Sequence, residues 1–500
     1  MSRFKRWMVL MIVSSALLLI VMDMTILYTA LPILTHDLAA SASQKLWILN
    51  GYSLVMAGLL PAMGALGDRL GHKKTFSLGL IVFMAASLLA AFSPGPYVLV
   101  AGRVLLAIGA SMMMPATLSI VRITFTNARE LGLAIGIWSA VASGGASIGP
   151  IVGGILLEYF SWGSVFLINI PIALVALALT VIYVPNHAGN KEKKWDLISS
   201  LQIMTALVAI IYSIKEFSSR EGSTTIAGIC AVIGVLALII FIRRQNRSHN
   251  PLIDLTLFKI KPFTAGFITA LIGAISMMGV QYLVTQRLQL VEGLSPLHAG
   301  LFTISISVGS LIVGTLAGLI LHRFNVILIK SASLLIAALG VGVYLLVFDS
   351  SFAGQIIGLA LFGSGLGAGM TAASHSIMSS APPHKSGMAA SIQEVGFELG
   401  GATGIAIIGS LSGVVYRLSM NIPEGLQVNS NVKDSLDEAY VAAEGLPTES
   451  AEALKEAGRI AFDQSVFIVI AGIAVFLVAT SALIGLMGMR QRKASASETG

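Results

Sequence analysis

The sequence predicts an all-α membrane protein with fourteen transmembrane helices and both termini on the same side of the bilayer. Three observations point there. Of the 500 residues, 56% are hydrophobic and only 11% charged, with a mean hydropathy of +0.87, whereas soluble domains carry about 25% charge. Apolar runs near the ~20 residues needed to cross a ~30 Å hydrocarbon core recur from end to end. The charges that remain are segregated: 22 of the 31 Lys and Arg fall on one side, while 15 of the 24 Asp and Glu fall on the other and three lie inside spans. The positive-inside rule makes the basic side, and with it both termini, cytoplasmic, as an even number of crossings requires.

The first span, 8–34, follows the basic stretch MSRFKRW and imitates a signal peptide. Its apolar run is too long for one and no small-x-small cleavage site follows, so it is expected to stay in the mature chain. Spans at 46–66, 76–93, 97–121, 132–156 and 164–184 complete an N-terminal six-helix bundle over residues 1–190. Two additional spans, 197–214 and 225–242, occupy residues 191–262 together with the cytoplasmic linker RRQNRSHNPLIDLTLFKIKPF. The last six, 263–286, 297–321, 327–347, 353–380, 386–415 and 465–488, form a C-terminal bundle over 263–500 with a polar insertion at 417–464. The insertion is rich in Glu and Ala and reads as short helices broken at Gly445 and Pro447. It is either a solvated cover or an acidic surface that gathers cations at the outer mouth. A faint repeat aligns GALGDRLGHKK after span 2 with GLILHRFNVILIK after span 10, matching Arg69 to Arg323 and Gly64 to Gly318, with His322 in place of Asp68. Two related bundles are what a secondary transporter requires.

Ionisable residues inside spans are costly and mark function by default. Asp23 lies 16 residues into span 1, about 24 Å from the cytoplasmic entry, and Arg103 six residues into span 4, about 9 Å from the opposite surface, at 1.5 Å per residue. These depths nearly coincide, so the two can pair. Separating them would leave a bare carboxylate in oil, which uptake of a proton relieves; the plainer alternative is a structural ion pair. Glu394 and Glu398 stand near the midplane of span 13 and share one face with Ser391. Gly396, Gly400 and Gly404 share the opposite face and are expected to pack on a neighbouring helix, leaving the acids toward a cavity between the bundles. Two carboxylates one turn apart repel, so one of them takes a proton more readily, and a cation could displace it; the alternative is a satisfied hydrogen-bonding pair.

In span 5, Gly145, Gly149 and Gly153 recur every four residues and form a groove for a close helix, while Pro150 permits a bend. After span 2, Asp68 and Arg69 lie in a tight turn where Gly67 and Gly71 tolerate unusual backbone angles. There a carboxylate can cap a helix N-terminus while the arginine bonds across the loop, unless the turn is simply solvated. Apolar and aromatic walls for a greasy cation could come from Tyr28, Trp47, Tyr52, Trp138, Met277, Met278, Tyr282 and Phe397, each of which could equally be ordinary packing.

These residues carry a resemblance over nearly the whole chain. Gly67-Asp68-Arg69-Leu70-Gly71-His72-Lys73-Lys74 resembles the signature loop of the major facilitator superfamily. Gly149-Pro150 followed by Gly153-Gly154 resembles its antiporter motif. MDMTILYTALP in span 1 is similar to a motif of the fourteen-helix drug:proton antiporters, with Tyr28 where that family usually has Asn; WILNGYSLVMAGLLPAMG and SWGSVFLINIPIAL match as well. The resemblance implies a major facilitator fold of two six-helix bundles plus two extra helices. It also implies proton-driven export of quaternary ammonium compounds and related lipophilic mono- and divalent cations, with Asp23, Arg103, Glu394 and Glu398 as coupling residues. Gly67, Asp68, Arg69, Gly71 and Lys73 would then form a gating latch.

Other classes fit less well. No GxxxxGK[ST] phosphate loop is present, and the run GSGLGAG lies in an apolar span. The eight histidines are scattered without an HExxH pattern, so no metal site or enzymatic nucleophile is expected. The positive charge is spread over short loops rather than one stripe, which argues against nucleic acid. The lone Cys230 excludes an intrachain disulfide. The expectation is a monomeric antiporter of a bacterial inner membrane, powered by the proton gradient without a cofactor, whose partners are cationic amphiphiles, protons and lipid. A proton-coupled carrier of another small solute and a non-transporting sensor or scaffold are the alternatives.

Overall fold

In a computed structural model the chain is helical wherever it is regular among the described residues, which are 2–186, 189, 196–218, 223–248, 251, 253–321, 325–382, 386–423, 426 and 428–498. The helices are α1 (Arg3–Asp37), α2 (Ala42–Leu70), α3 (His72–Ala91), α4 (Pro96–Thr124), α5 (Ala128–Tyr159), α6 (Ser164–Leu167), α7 (Asn169–Tyr183), α8 (Leu197–Ser218) and α9 (Thr224–Arg247). They continue as α10 (Lys261–Leu290), α11 (Pro296–Ile320), α12 (Val326–Leu346), α13 (Phe352–Ser380), α14 (Ser386–Ser419), α15 (Leu436–Glu444) and α16 (Thr448–Glu498). Local chemistry sets many of the starts. Ser41 and Gln44 form a reciprocal capping box on α2, Asn325 caps α12 and Ser351 caps α13, and Pro sits in the first turn of α4 and α10. Thirteen helices are long and apolar enough to cross a membrane among the described residues, so the chain is a multi-pass membrane protein.

Two features differ from the sequence reading. The sixth span is broken at Ile168 into α6 and α7. The insertion does break at Gly445 and Pro447, but beyond them α16 runs unbroken for 51 residues into the last span. Gly458 does not interrupt it, because the helix packs so closely on α15 that a β-carbon there would stand 2.8 Å from Leu436. Tyr416, Val432, Leu436, Ala439, Leu454 and Ala461 close an apolar core, and the Tyr416 hydroxyl donates to the Val432 carbonyl at 3.1 Å. The insertion is thus a small packed headpiece.

The chain divides into two compact units, Met1–Asp254 with Glu292–Gly300, and Leu255–Val291 with Leu301–Gly500. In the first, α1 lies against α5, α4 and α7, and α3 against α4. The α8–α9 pair falls within this unit, α8 packing on α2 where Gly58 meets Met204. On α9, Ile229, Ile233, Leu236 and Ile240 are exposed, as a lipid-facing helix requires. In the second unit, α12 packs on α13 and α16, and α10 on α13 and α14. Glycines let the backbones approach: a β-carbon on Gly340 would come within 2.7 Å of the Gly358 carbonyl across the α12–α13 seam. The repeat partners His322 and Arg323 lie outside the described residues.

Candidate functional site

Asp23 on α1 and Arg103 on α4 are each 2% exposed, and burying either charge alone would be prohibitive. They meet at 2.5 Å, Arg103 Nη1 donating to Asp23 Oδ2. The depth argument from the sequence therefore brought together two residues that the fold joins. Arg103 is held further by Nε donating to the Ile48 carbonyl at 3.3 Å and by the Tyr52 ring, 4.4 Å from its guanidinium carbon. Asp23 has a second donor that the sequence reading missed: Asn169 Nδ2, at 3.1 Å from Oδ1, which also donates to Ser87 Oγ at 3.3 Å. Tyr28 stands where the resembling family usually has Asn, and the amide beside this carboxylate comes from α7 instead. The signal was present as one polar residue in the apolar run VFLINIPIAL, at the break between α6 and α7. The result is a buried network drawn from five helices that can hold one negative charge in a fixed place.

The glycines of α5 explain how α1 is placed. β-Carbons on Gly145, Gly149 and Gly153 would press on Leu18, Thr25 and Ile26 of α1 respectively, so the four-residue repeat forms the seat of the helix that carries Asp23. Elsewhere in the same unit, Gly154 lies against the backbone of Leu297, and Gly300 against the Pro150 carbonyl.

The signature loop is tighter than a turn. Gly71 alone separates α2 from α3, with φ 98°, a value that favours glycine. Gly67 is helical, and its small side is needed instead for the His72 ring, 2.9 Å from where a β-carbon would stand. Asp68 Oδ1 is 3.3 Å from His72 Nε2 at the start of α3. The bonds to a neighbouring helix come from Lys73, whose Nζ donates to the Val181 and Val184 carbonyls at 3.0 and 2.7 Å, satisfying the open C-terminus of α7. Among the described residues no hydrogen bond runs from Arg69 to a neighbouring helix.

On α14 Glu398 is buried, 7% exposed, and Glu394 half-buried; the side chain of Ser391 lies outside the described residues. Gly396, Gly400 and Gly404 pack on Phe267, Ala274 and Ile275 of α10, so both acids sit on the side of α14 turned from α10. The aromatic candidates are spread out. Tyr52 supports Arg103, Trp47 stacks on Tyr212 at 6.1 Å, and Trp138 donates its indole N–H to Thr117 at 3.1 Å. Tyr28 and Tyr282 are buried, while Met277, Met278 and Phe397 are half-buried.

Two basic residues near span ends, which the count by side assigns to loops, are buried instead. Lys330, 1% exposed, lies within α12 and donates to Ser376 Oγ at 3.1 Å. Arg287, 1% exposed, ends α10 against Asp463, Asp349 and the Phe348 ring. Counting charges by side places a residue near a span end in the loop, although a long aliphatic stem can run back along the helix. At the start of α8, burial by itself would raise the Asp196 carboxyl. Hydrogen bonds from the Ser199 side chain and backbone and from Arg244 outweigh it and hold the group below its ordinary range.

The family model for the Major Facilitator Superfamily matches residues 13–405. The chain is 38% identical to the methyl viologen resistance protein SmvA of Salmonella typhimurium over 494 residues, 98% of this chain and all of that one. It is 36% identical to the multidrug efflux pump LfrA of Mycolicibacterium smegmatis, across 96% of each. Among solved structures it resembles a bacterial homolog of the human lysosomal transporter Spinster, with a TM-score of 0.62 and 17% identity over 97% of this chain and 98% of that one.

Proposed function

The chain belongs to the Major Facilitator Superfamily, and from that premise we propose that it is a proton-coupled multidrug exporter of lipophilic mono- and divalent cations. It is a transporter rather than an enzyme, and its setting is a bacterial inner membrane. The cargo would include quaternary ammonium compounds, biguanide antiseptics, viologens and cationic dyes. We further propose fourteen crossings with both termini in the cytoplasm, α5 supplying the crossing beyond the thirteen counted among the described residues, and the proton gradient as the only energy source.

The observation that carries the reading is the Asp23–Arg103–Asn169 network. An ionised carboxylate inside a membrane helix demands partners, and here the partners come from α4 and α7, so that movement of one helix against another changes its charge state. Asp23 would alternate between Arg103-paired carboxylate and proton-bearing acid as access alternates, and Glu394 and Glu398 would attract the cation. Support for cationic cargo comes from the relative named for resistance to methyl viologen, a flat dication, and support for breadth from the one named for multidrug efflux.

Everted membrane vesicles test this. The expected result is proton-gradient-driven uptake of ethidium and methyl viologen by wild type, abolished by a protonophore and lost in Asp23→Asn. A chain that moves neither cation but acidifies or discharges vesicles with another small solute would be a carrier of that solute. One that moves nothing would be a sensor or scaffold.

A further inference from the structure

Asn169 is fully buried, and its amide is used on one end only. Nδ2 donates to both Asp23 Oδ1 and Ser87 Oγ, while Oδ1 is buried with no hydrogen-bond partner. A buried acceptor without a donor is costly and is kept where it serves something. Arg103 has donors only, so it can offer nothing to the O–H of a protonated Asp23. An amide can do more. Its carbonyl and amino ends have nearly the same shape, and a half-turn about the last side-chain bond exchanges them without repacking. After that turn Oδ1 stands where Nδ2 stood, within reach of Asp23 and Ser87. The O–H of a protonated Asp23 and the hydroxyl of Ser87 can then both donate to it.

We propose that Asn169 is the positioning residue that lets Asp23 carry its proton: a two-way amide that donates to the carboxylate and, turned, accepts from the carboxylic acid, with Ser87 reversing from acceptor to donor in step. The proton resides on Asp23 Oδ1 throughout, and Arg103 keeps the Ile48 carbonyl and the Tyr52 face. The other groups around Asp23 leave this task to Asn169. Arg103 on α4 and Tyr52 behind it on α2 are the charged and titratable neighbours. The glycines of α5 that seat α1 bring no ionisable group, and neither does α6.

The inference rests on proton-coupled export, and the test separates the two. Gradient-driven ethidium uptake is measured across neutral pH in everted vesicles holding the full chain, as wild type, Asn169→Leu, Asn169→Gln and Asn169→Asp. Leucine, close to asparagine in size, can neither donate nor accept, so both protonation states of Asp23 lose their partner and uptake falls at every pH by about tenfold, the size of one lost hydrogen bond. Glutamine fits less well but keeps both ends of the amide, and its uptake exceeds that of the leucine variant. Aspartate, once ionised, can accept from the acid but cannot donate to the carboxylate, so the pH midpoint of transport moves to higher pH. Uptake by the leucine variant equal to or above that of the glutamine variant assigns Asn169 to packing and overturns the proposal, as does an Asn169→Asp midpoint that stays where wild type has it. Asn169→Asp, being isosteric, gives that answer even where the other variants fail to reach the membrane. Absence of gradient-driven uptake in wild type would overturn the export reading itself.

Discussion

Arg287 Nε donates to Asp463 Oδ1 at 2.8 Å across 176 residues of sequence, fastening the end of α10 to α16. The guanidinium is also 3.9 Å from the centre of the Phe348 ring and 3.1 Å from Asp349. Removing it takes a buried cation from beside Asp463 and opens the site that the headpiece helix leans on. Arg287→Ala should therefore lower the thermal unfolding transition of the purified protein, by about 1.5–3 kcal/mol for a hydrogen bond to a charged group. Asp349 is 79% exposed, and Asp349→Ala should stay within about 0.5 kcal/mol of wild type. Equal losses in the two variants would contradict this ranking.

The seat of α1 predicts a graded response along α5. A β-carbon on Gly149 would run into Thr25 Oγ1 and stand 3.3 Å from the Ile26 backbone nitrogen, whereas one on Gly145 would meet the far end of Leu18 at 3.0 Å. Leucine can turn aside; the Thr25 hydroxyl is engaged with the Val21 and Met22 carbonyls. Gly149→Ala should cost about 1–3 kcal/mol as overpacking and depress dye efflux, while Gly145→Ala is tolerated. Adding Thr25→Ala should restore part of the loss, as membrane-level immunoblots and efflux rates would show.

Neutralising Asp23 should harm the fold as well as transport. Asp23→Asn leaves the Arg103 guanidinium 2% exposed without its anion, a change of about 3–5 kcal/mol for a broken buried pair. The double variant Asp23→Asn, Arg103→Met removes the stranded charge and should recover most of the unfolding temperature without recovering efflux. A double variant no more stable than Asp23→Asn would mean that the arginine is satisfied by Ile48 and Tyr52 alone.

Asp196 predicts an acid-sensitive clamp on the α8–α9 pair. Its carboxyl accepts from the Ser199 backbone at 3.1 Å, from the Ser199 hydroxyl at 2.6 Å and from Arg244 at 3.1 Å, and the folded value is depressed. A depressed value means that the stabilisation is fully present above the ordinary aspartate value of about 3.9 and is lost as pH falls through the folded one. Asp196→Asn should therefore be less stable than wild type at neutral pH, by less than about 1 kcal/mol since Arg244 is 42% exposed. The two unfolding curves should converge in acid; a gap that persists there would assign the difference to packing.

How much was legible in the sequence depended on the distance over which each signal acts. The spans were readable because a bilayer imposes length and hydropathy locally, and Asp23 met Arg103 because depth along two helices is additive arithmetic. The glycine ridge of α14 declared its packing face through helical periodicity. Asn169 was not legible as a partner of Asp23, since nothing in 146 residues of separation fixes which faces of α7 and α1 meet. Lys330 and Arg287 were misplaced because side-counting treats a long flexible cation as if it followed its Cα. The headpiece was read as polar from its composition, whereas its core rests on small residues, Ala439, Ala443 and Ala461 among them, whose burial composition does not reveal.

The unbroken course of α16 has a mechanical corollary. A helix of 51 residues is about 75 Å long at 1.5 Å per residue, and no proline or loop divides its headpiece segment from its membrane segment. Torsion or tilt applied to the buried shaft must reappear at the tip, magnified by the length of the arm. α15, docked on that tip, swings like a vane on an axle, and so the orientation of the last membrane helix could be read from a spectroscopic probe placed far from the lipid.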